Sequence, residues 1–274
     1  MNWRFINSGM TAAAMNMAID EALLLSHSMG QIPPTLRFYG WNLPTVSIGY
    51  FQKAASEIDL SACQARKVTV VRRLTGGRAV LHDAELTYSI VVKEDYPLLP
   101  KTITASYRYL SEGVLAGLRQ LGADVQMTTP RSAYGQKVKH AGSAACFDSP
   151  SHYEITYEGR KLVGSAQVRK QGVILQHGSI LIRFSPETVA AVLQLPSIQM
   201  REKITALLGQ RATSMEEILG RRVNYAELGS ILLPAFSQAL GVTFVPGELT
   251  AYEQDTSRQL AAEKYSQRSW NELR

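Results

Sequence analysis

The sequence predicts an α+β fold in which mostly antiparallel sheets pack against helices. The 274 residues are 45% hydrophobic and 19% charged, values that are ordinary for a globular protein and that exclude disordered, collagen-like and coiled-coil chains. Segments with strand-like alternation occur in groups, between segments with helical spacing. The predicted order is helix, strands, helix, strands, helices, which is typical of an antiparallel sheet covered by helices.

In the first half of the chain, the predicted elements have visible boundaries. Apolar residues recur at helical spacing over 10–29, and Gly30 followed by Pro33 and Pro34 ends that helix. Residues 68–71 are rich in β-branched side chains, which predicts a strand. Similar patterns predict strands over 35–39, 45–49 and 86–92 and helices over 56–66 and 104–121.

The second half begins with an irregular polar segment, 128–151, and continues with three strands. Glu158-Gly159 and Gln171-Gly172 mark tight turns between those strands. The strands are predicted over 152–157, 160–168 and 172–184, and helices follow over 186–194, 199–208, 214–219 and 225–240.

We expect one catalytic domain followed by a tail. Pro246-Gly247 is the only candidate boundary near the end of the sequence. The expected division is therefore a catalytic domain over 1–248 and a polar, helical C-terminal tail over 249–274. The catalytic domain would consist of a motif-bearing core over 35–185 and a helical extension over 186–248.

The net charge favours acidic partners. The chain has 29 Lys and Arg residues against 23 Asp and Glu residues, which gives +6 and a pI near 9.3. No basic run is longer than Arg72-Arg73, so no nucleic-acid partner is expected. No apolar stretch approaches the roughly 20 residues of a membrane-spanning helix, and residues 1–5 lack the pattern of a signal peptide. We therefore expect a cytoplasmic protein without a membrane partner.

The two cysteines have different contexts. Two are too few for a zinc site of the usual spacing, and no metal is expected. Cys63 falls inside a predicted helix, where a cysteine is typically a small buried hydrophobic residue. Cys146 lies among small residues in a predicted loop, where a thiol can act as a nucleophile if a nearby cation lowers its pKa. On this pattern alone, a buried structural cysteine remains the alternative for Cys146.

A segment that begins with Arg72 and Arg73 is the most informative for function. The paired glycines Gly76 and Gly77 let a backbone approach a ligand closely and expose amide donors. Arginines beside them can hold a carboxylate or phosphate through paired hydrogen bonds. The alternative is a β-hairpin turn with solvated arginines. His82 is either an oriented imidazole or an ordinary polar residue at a strand end.

A second candidate region is the strand that begins near Lys161. The amine of Lys161 can exchange protons if a ligand desolvates it. Gly164 and Ala166 have the small side chains that a strand beside a ligand requires. The alternative is an ordinary lysine at a hairpin. His177, on the next strand, is interpreted as structural, with a substrate-lining role as the alternative.

Four segments in order resemble the signature of the lipoate-protein ligase, octanoyltransferase and biotin ligase superfamily. They are residues 36–41 with 44–49, 72–83, 161–167 and 176–179. Within the superfamily, the sequence is most similar to the LipM-type octanoyltransferases of Gram-positive bacteria. The typical ligase motif has a serine before three glycines, whereas here Thr75 replaces the serine and Arg78 the third glycine. Cys146 falls where the LipM type carries its acyl-accepting cysteine.

The resemblance implies an acyltransferase of lipoate biosynthesis that needs no cofactor. Octanoyl would pass from acyl carrier protein to a lysine of a lipoyl-domain protein, with the glycine cleavage H protein as the expected first recipient. Cys146 would form an acyl-enzyme, and Lys161 would favour the thiolate and take a proton from the incoming amine. The implied substrate-binding residues are Arg72, Arg73, Thr75, Gly76, Gly77, His82, Gly164 and Ala166.

Three alternatives stay open at this point. An ATP-dependent lipoate-protein ligase would use the same segments and activate the acid as an adenylate. An amidotransferase that moves octanoyl between lipoyl domains would use the same cysteine. A non-enzymatic, basic protein-binding module would need neither chemistry.

Overall fold

The computed structural model describes residues 1–128 and 154–273. Its strands are β1 (Asn2–Thr11), β2 (Thr35–Trp41), β3 (Thr45–Ile48), β4 (Thr69–Arg72), β5 (Val80–His82), β6 (Glu85–Lys93), β7 (Gln126–Thr128), β8 (Glu154–Tyr157), β9 (Arg160–Lys170), β10 (Val173–Leu181) and β11 (Thr243–Pro246). Its helices are α1 (Ala13–Ser28), α2 (Ala54–Glu57), α3 (Leu60–Ala65), α4 (Ile103–Gln120), α5 (Pro186–Ala191), α6 (Ile198–Arg211), α7 (Met215–Leu219), α8 (Tyr225–Leu240), α9 (Ala251–Leu260) and α10 (Arg268–Asn271), with a π-helical turn over Ala261–Tyr265. Among these helices, none has the length and apolar character needed to cross a membrane.

The larger sheet has eight strands within the described ranges, in the order β11-β1-β2-β6-β10-β9-β8-β7. β1 runs parallel to both of its neighbours, and the remaining neighbouring pairs are antiparallel. Gln171 and Gly172, with φ of 54° and 71°, form the tight turn between β9 and β10. The predicted α+β class with a mostly antiparallel sheet is confirmed.

The two faces of this sheet differ in chemistry, because successive side chains of a strand point to opposite sides. Leu36 and Phe38 of β2 join the main hydrophobic core, to which α4 and α8 also contribute. Between them along the strand, Arg37 turns to the other face and donates to Asp20 of α1. The α4–α8 side is therefore the apolar core, whereas the α1 side carries buried polar groups.

A smaller sheet positions the segment with the paired glycines. β3 lies in its centre, parallel to β4 and antiparallel to β5. Since β4 and β5 both pair with β3, the interpretation of the segment as a β-hairpin with solvated arginines is wrong. The segment packs on the loop after β3 instead. A Cβ atom on Gly49 would lie 2.1 Å from the Gly77 carbonyl oxygen, and the Tyr50 N–H donates to the Thr75 carbonyl over 2.9 Å.

The structure differs from the prediction mainly near the ends of the sequence and around the short helices. The helix predicted over 10–29 begins at Ala13, and β1 precedes it. The register of β1 against β2 shifts between Asn7 and Met10, so β1 lacks a clean alternation in its sequence. The helix predicted over 56–66 is two short helices, because the Asp59 side chain caps α3 by accepting the Ala62 N–H. The edge strand β11 was also missed.

Candidate active site

A cavity of about 120 Å³ opens where the small sheet meets the α1 face of the large sheet. Both sheets, α1 and the segment after β4 contribute to its lining, which consists of Met17, Tyr39, Trp41, Ser47, Arg73, Gly77, Arg78, Val80, His82, Thr87, Gly164, Ser165, Ala166, His177, Gly178 and Ser179. The fold thus brings together Arg73, Gly77, His82, Gly164 and Ala166 from the predicted set.

The lining combines an apolar part with a polar part. Met17, Tyr39 and Trp41 are buried and belong to one hydrophobic cluster under the cavity. On β10, Gly178 has no room for a side chain, because a Cβ atom there would lie 2.3 Å from the Ser165 hydroxyl oxygen. The polar part contains Arg73 and two histidines. A ligand with an apolar chain and a polar head fits such a lining.

Thr75, His177 and Asp20 form a buried row of hydrogen bonds, the threonine triplet. The Thr75 Oγ1 and His177 Nε2 atoms lie 2.7 Å apart, and His177 Nδ1 lies 3.3 Å from Asp20 Oδ2. Burial lowers the pKa of His177, although the bond to Asp20 acts in the opposite direction. The imidazole is therefore neutral near pH 7, so Nδ1–H donates to the carboxylate and Nε2 accepts from the threonine.

Asp20 anchors the threonine triplet as a charged group. Burial alone would raise the pKa of Asp20, but its bond with His177 and the Arg37 guanidinium outweigh burial and lower it. Arg37, Tyr39 and Ser89 each donate a hydrogen bond to this carboxylate. A carboxylate with this many donors stays ionised although it is buried.

A second row, the serine triplet, consists of Ser47, His82 and Glu85. Ser47 Oγ lies 2.7 Å from His82 Nε2, and His82 Nδ1 lies 2.7 Å from Glu85 Oε1. The Trp41 ring stacks on His82 with a centroid separation of 4.2 Å. Burial would raise the pKa of Glu85, but the interactions with His82 and with the Ser179 and Thr87 hydroxyls lower it. Glu85 is therefore the ionised anchor of this triplet.

Arg73 connects the two triplets. Its Nε donates to Thr75 Oγ1 over 3.1 Å, and its Nη1 donates to Ser47 Oγ over 3.1 Å. Its Nη2 donates to the carbonyl oxygens of Gly76 and Arg78 over 2.8 and 2.7 Å. The guanidinium therefore fixes the backbone around Gly77 at the cavity. Gly77 itself has a φ of +95°, a conformation that favours glycine.

Three predicted residues lie behind the lining. Thr75 bonds to the lining residue His177, and the Gly76 carbonyl accepts from the lining residue Arg73. Arg72 is fully buried, and its Nη1 donates to three backbone carbonyls of the loop after β3. Since Arg72 binds this loop and is not part of the lining, its position differs from that of a substrate arginine.

Lys161 lies beside the lining glycine of β9. The Lys161 side chain is buried, and its Nζ lies 2.7 Å from Glu154 Oε1. A Cβ atom on Gly164 would lie 3.6 Å from this Nζ. The ammonium group is thus held next to the cavity wall by a carboxylate.

Of the two cysteines, Cys63 lies in the part of the chain that the structure describes. Cys63 is buried, as predicted, and burial raises the pKa of its thiol to about 11. Its thiol is therefore protonated and shielded at neutral pH. Cys146 lies outside the described residues. Within the described ranges, no cluster of three His, Cys, Asp or Glu side chains is arranged to hold a metal ion.

Sequence reasoning missed most of both triplets. No role was predicted for Asp20, Ser47 or Glu85, and His177 was interpreted as structural. A signal was present in β6 and β10, where Glu85, Thr87, His177 and Ser179 occupy alternate positions among apolar residues. Polar side chains at alternate positions of a fully buried strand indicate a buried polar layer.

Known proteins share both the sequence and the fold. A model described as the lipoyl protein ligase A/B catalytic domain matches residues 12–237. The octanoyltransferase LipM of Kyrpidia tusciae is 51% identical over 98% of this chain and 98% of its own length. The LipM of Moorella thermoacetica is 49% identical over 98% of this chain and 97% of its own length.

A solved structure extends the similarity. A bipartite lipoate protein ligase of Thermoplasma acidophilum, described with its E2 lipoyl domain, has a TM-score of 0.82 at 29% identity, and the match covers 99% of this chain and 96% of that one. The chain therefore belongs to the lipoyl protein ligase A/B catalytic domain family and, within it, to the LipM octanoyltransferases.

Proposed function

We propose that this enzyme moves octanoyl from acyl carrier protein to a lysine of a lipoyl-domain protein through a thioester on Cys146. The glycine cleavage H protein is the proposed first recipient, and the cytoplasm the proposed compartment. One observation supports the proposal above all. In a chain that belongs to the LipM family, the cavity has an apolar wall beside Arg73, Gly77 and β9, the strand that contains Lys161.

In the proposed first step, the Cys146 thiolate attacks the carbonyl carbon of the octanoyl thioester. A C–S bond forms to Cys146, and the tetrahedral oxyanion then collapses and breaks the C–S bond to the carrier. The carrier thiolate takes up a proton from the Lys161 ammonium, which leaves the Lys161 amine neutral in the acyl-enzyme and able to act as a base in the second step. No ATP is consumed, because the donor is already a thioester. The buried ammonium of Lys161 favours the thiolate by its charge.

In the second step, the ε-amine of the acceptor lysine attacks the acyl-cysteine. An N–C bond forms, the C–S bond to Cys146 breaks, and the amine proton passes to Lys161 and on to the cysteine thiolate. The acceptor must be neutral to attack, and an unperturbed lysine with a pKa of about 10.4 is mostly protonated at pH 7. A base beside the acyl group therefore matters most in this step.

The walls have separate roles in this proposal. The apolar part with Met17, Tyr39 and Trp41 receives the acyl chain, because an unbranched chain gains about 0.8 kcal/mol for each buried CH₂ group. The backbone of Gly76 and Gly77, fixed by Arg73, lies beside the thioester carbonyl and either stabilises the oxyanion or shapes the acyl pocket.

The decisive experiment traps the acyl-enzyme. The chain is incubated with octanoyl acyl carrier protein without nucleotide or acceptor, and its intact mass is measured. We expect one octanoyl adduct in the wild type and in Cys63→Ala, and none at the thioester position in Cys146→Ser. The control is matched, because the Cys63 thiol is buried with a raised pKa. An adduct that persists as a thioester in Cys146→Ser, or that disappears in Cys63→Ala, would refute the assignment.

A lipoate-protein ligase is the second candidate, and the similarity to the Thermoplasma ligase favours it. A ligase would octanoylate the acceptor from free octanoate and ATP and would not use the carrier-bound donor. We expect transfer from octanoyl acyl carrier protein with no nucleotide added. Octanoylated H protein as the sole donor, with an E2 lipoyl domain as acceptor, tests the amidotransferase alternative in the same assay.

A further inference from the structure

The segment after α9 lies behind the cavity, where it contacts the apolar cluster of the lining and Arg72. α9 packs against α1, and Glu253 accepts from both terminal nitrogens of Arg4. The backbone then forms the π-helical turn, in which the Ser266 N–H donates to the Ala261 carbonyl five residues earlier. After this turn, α10 lies against β4.

The first contact is with the floor of the cavity. Tyr265 is almost fully buried in the same hydrophobic cluster as Met17, Tyr39 and Trp41, which line the cavity. Its hydroxyl donates to Glu21 of α1 over 2.8 Å. The π-helical turn therefore places an aromatic side chain in the cluster that forms the apolar wall.

The second contact is with Arg72. Trp270 Nε1 donates to the Arg72 carbonyl over 3.0 Å, and Arg72 Nε donates to the Trp270 carbonyl over 3.0 Å. The Arg72 N–H donates to Asn271 Oδ1 over 2.8 Å, and Arg72 Nη2 donates to the Asn271 carbonyl over 3.1 Å. Four hydrogen bonds thus join two residues of α10 to one arginine.

The same arginine holds the loop after β3. Arg72 Nη1 donates to the carbonyl oxygens of Gly49, Tyr50 and Gln52 at 2.9 to 3.0 Å. The ring of Tyr50 also lies 5.9 Å from that of Trp270. The guanidinium is therefore a bridge between α10 and the loop over 49–52.

The loop in turn determines where the paired glycines lie. Its Gly49 has no space for a Cβ atom against the Gly77 carbonyl, and its Tyr50 N–H holds the Thr75 carbonyl. Gly77 is part of the cavity lining. A displacement of the loop therefore moves the backbone that we assign to the thioester carbonyl.

We propose that Trp270 and Asn271 form a tail clamp that acts through Arg72 to position the loop over 49–52 and the Gly76-Gly77 backbone for acyl transfer. This inference rests on the proposed function. The clamp residues are positioning residues, because they touch Arg72 and the loop and do not line the cavity. Arg72 takes the same role in place of direct substrate binding.

The clamp has a measurable consequence for rate. When Trp270 or Asn271 loses its side chain, the Arg72 backbone loses one of the partners that orient it. The loop then samples other positions, and misplacement by about 1 Å can lower a rate by about 100-fold. We expect a tenfold to 100-fold loss of kcat for octanoyl transfer in Trp270→Ala and Asn271→Ala, with a smaller change in KM for the carrier-bound donor.

The experiment compares these variants with Arg268→Ala in the full chain. Arg268 is on the same helix, its side chain is 86% exposed, and its ion pair is with Glu272. Transfer is assayed at a temperature where circular dichroism finds every variant fully folded. Amide hydrogen exchange, followed by mass spectrometry, reports on residues 47–52 and 73–80. Trp270→Phe serves as the conservative variant, since it keeps an aromatic ring beside Tyr50.

The expected result is faster exchange in both segments and slower transfer in Trp270→Ala and Asn271→Ala, partial recovery in Trp270→Phe and no change in Arg268→Ala. Wild-type exchange in the two alanine variants would overturn the inference, and so would faster exchange with unchanged kcat. If the wild type itself transfers no octanoyl from the carrier, the proposed function fails instead. The exchange comparison would then still decide whether the clamp holds the loop.

Discussion

The Arg73 guanidinium donates to the Thr75 hydroxyl over 3.1 Å, and through this contact it joins a row that ends at the buried Asp20 carboxylate. A second donor of the same guanidinium reaches Ser47, whose row ends at Glu85. Arg73 is therefore fixed by two anchored hydroxyl groups at once. Its remaining donors hold the backbone on either side of Gly77.

Replacing Arg73 by lysine tests this arrangement. Lysine keeps the charge but lacks the planar set of donors, so it cannot hold both hydroxyls and both carbonyls together. We expect at least a tenfold lower kcat in Arg73→Lys, because the backbone around Gly77 is then no longer held in place and misplacement by about 1 Å can lower a rate by about 100-fold. Arg66→Lys, at an exposed position after α3, is the control. A wild-type kcat in Arg73→Lys would contradict the role given to the guanidinium.

Lys161 can be compared with a second lysine on the same strand. Lys161 and Lys170 lie at the two ends of β9, and each pairs with a carboxylate, Glu154 and Glu21 respectively. We expect Lys161→Ala to keep the fold, as judged by circular dichroism, and to slow octanoyl transfer severely. Lys170→Ala should transfer at the wild-type rate. Normal turnover in Lys161→Ala would refute its role in proton transfer.

The lowered pKa of His177 predicts a specific dependence of stability on pH. In the unfolded chain His177 has an ordinary pKa of about 6.5, whereas burial lowers its pKa in the folded protein. Below about pH 6.5 the unfolded state therefore binds more protons than the folded state. The free energy of unfolding consequently decreases as the pH is lowered. Of the groups that act on the imidazole, which are Asp20, Arg73 and His82, the first two keep their charges over this range.

The measurement is the thermal unfolding midpoint between pH 7.5 and pH 5. Between pH 7.5 and pH 5, the unfolding midpoint of the wild type should decrease more than that of His177→Gln, which lacks the titrating group. His27 is also buried with a lowered pKa and contributes equally to both proteins, so the difference between them isolates His177. Parallel curves for the two proteins would argue against the neutral, buried imidazole.

Gly49 tests the contact between the loop after β3 and the paired glycines. An alanine Cβ there would lie 2.1 Å from the Gly77 carbonyl oxygen, so either the loop or the Gly77 backbone must move. We expect Gly49→Ala to lose about 1–3 kcal/mol of unfolding free energy, as overpacked sites do, together with most of its transfer activity. Gly209→Ala, where the new Cβ would lie 3.6 Å from Pro186, is the matched control and should be at least as stable as the wild type. An unfolding free energy of Gly49→Ala equal to the wild type would disprove the close contact.

The predictable parts of the fold were those governed by neighbouring residues. The strands β9 and β10 were located because Gln171 and Gly172 mark their turn, and α4 was located because its apolar spacing is regular. β1 was not predicted, because its pairing with β2 is interrupted and because a parallel neighbour is not joined to it by a tight turn that the sequence would show. From the predicted set, Arg73, Gly77, His82, Gly164 and Ala166 line one cavity, whereas the missed Asp20 is 157 residues from its partner His177. A contact of this kind depends on tertiary packing, which local pattern does not encode.

The substrate-binding role of Arg72 stays a prediction, and the structure places this residue outside the cavity lining. Two adjacent arginines in one motif suggested two ligand contacts. Successive side chains of a strand, however, point to opposite sides. The side chains of Arg72 and Arg73 therefore point in different directions at the end of β4. One guanidinium reaches the cavity, and the other reaches α10 and the loop after β3.

The alternation along β2, β6 and β10 separates two tasks within single strands. One set of side chains packs against α4 and α8, while the intervening set faces α1 and includes Arg37, Glu85 and His177. Mutations in the second set can therefore alter the polar chemistry at the cavity while the apolar packing against α4 and α8 stays as it is. Octanoyltransferases and ligases of this fold can therefore differ at the cavity and still share one apolar interior.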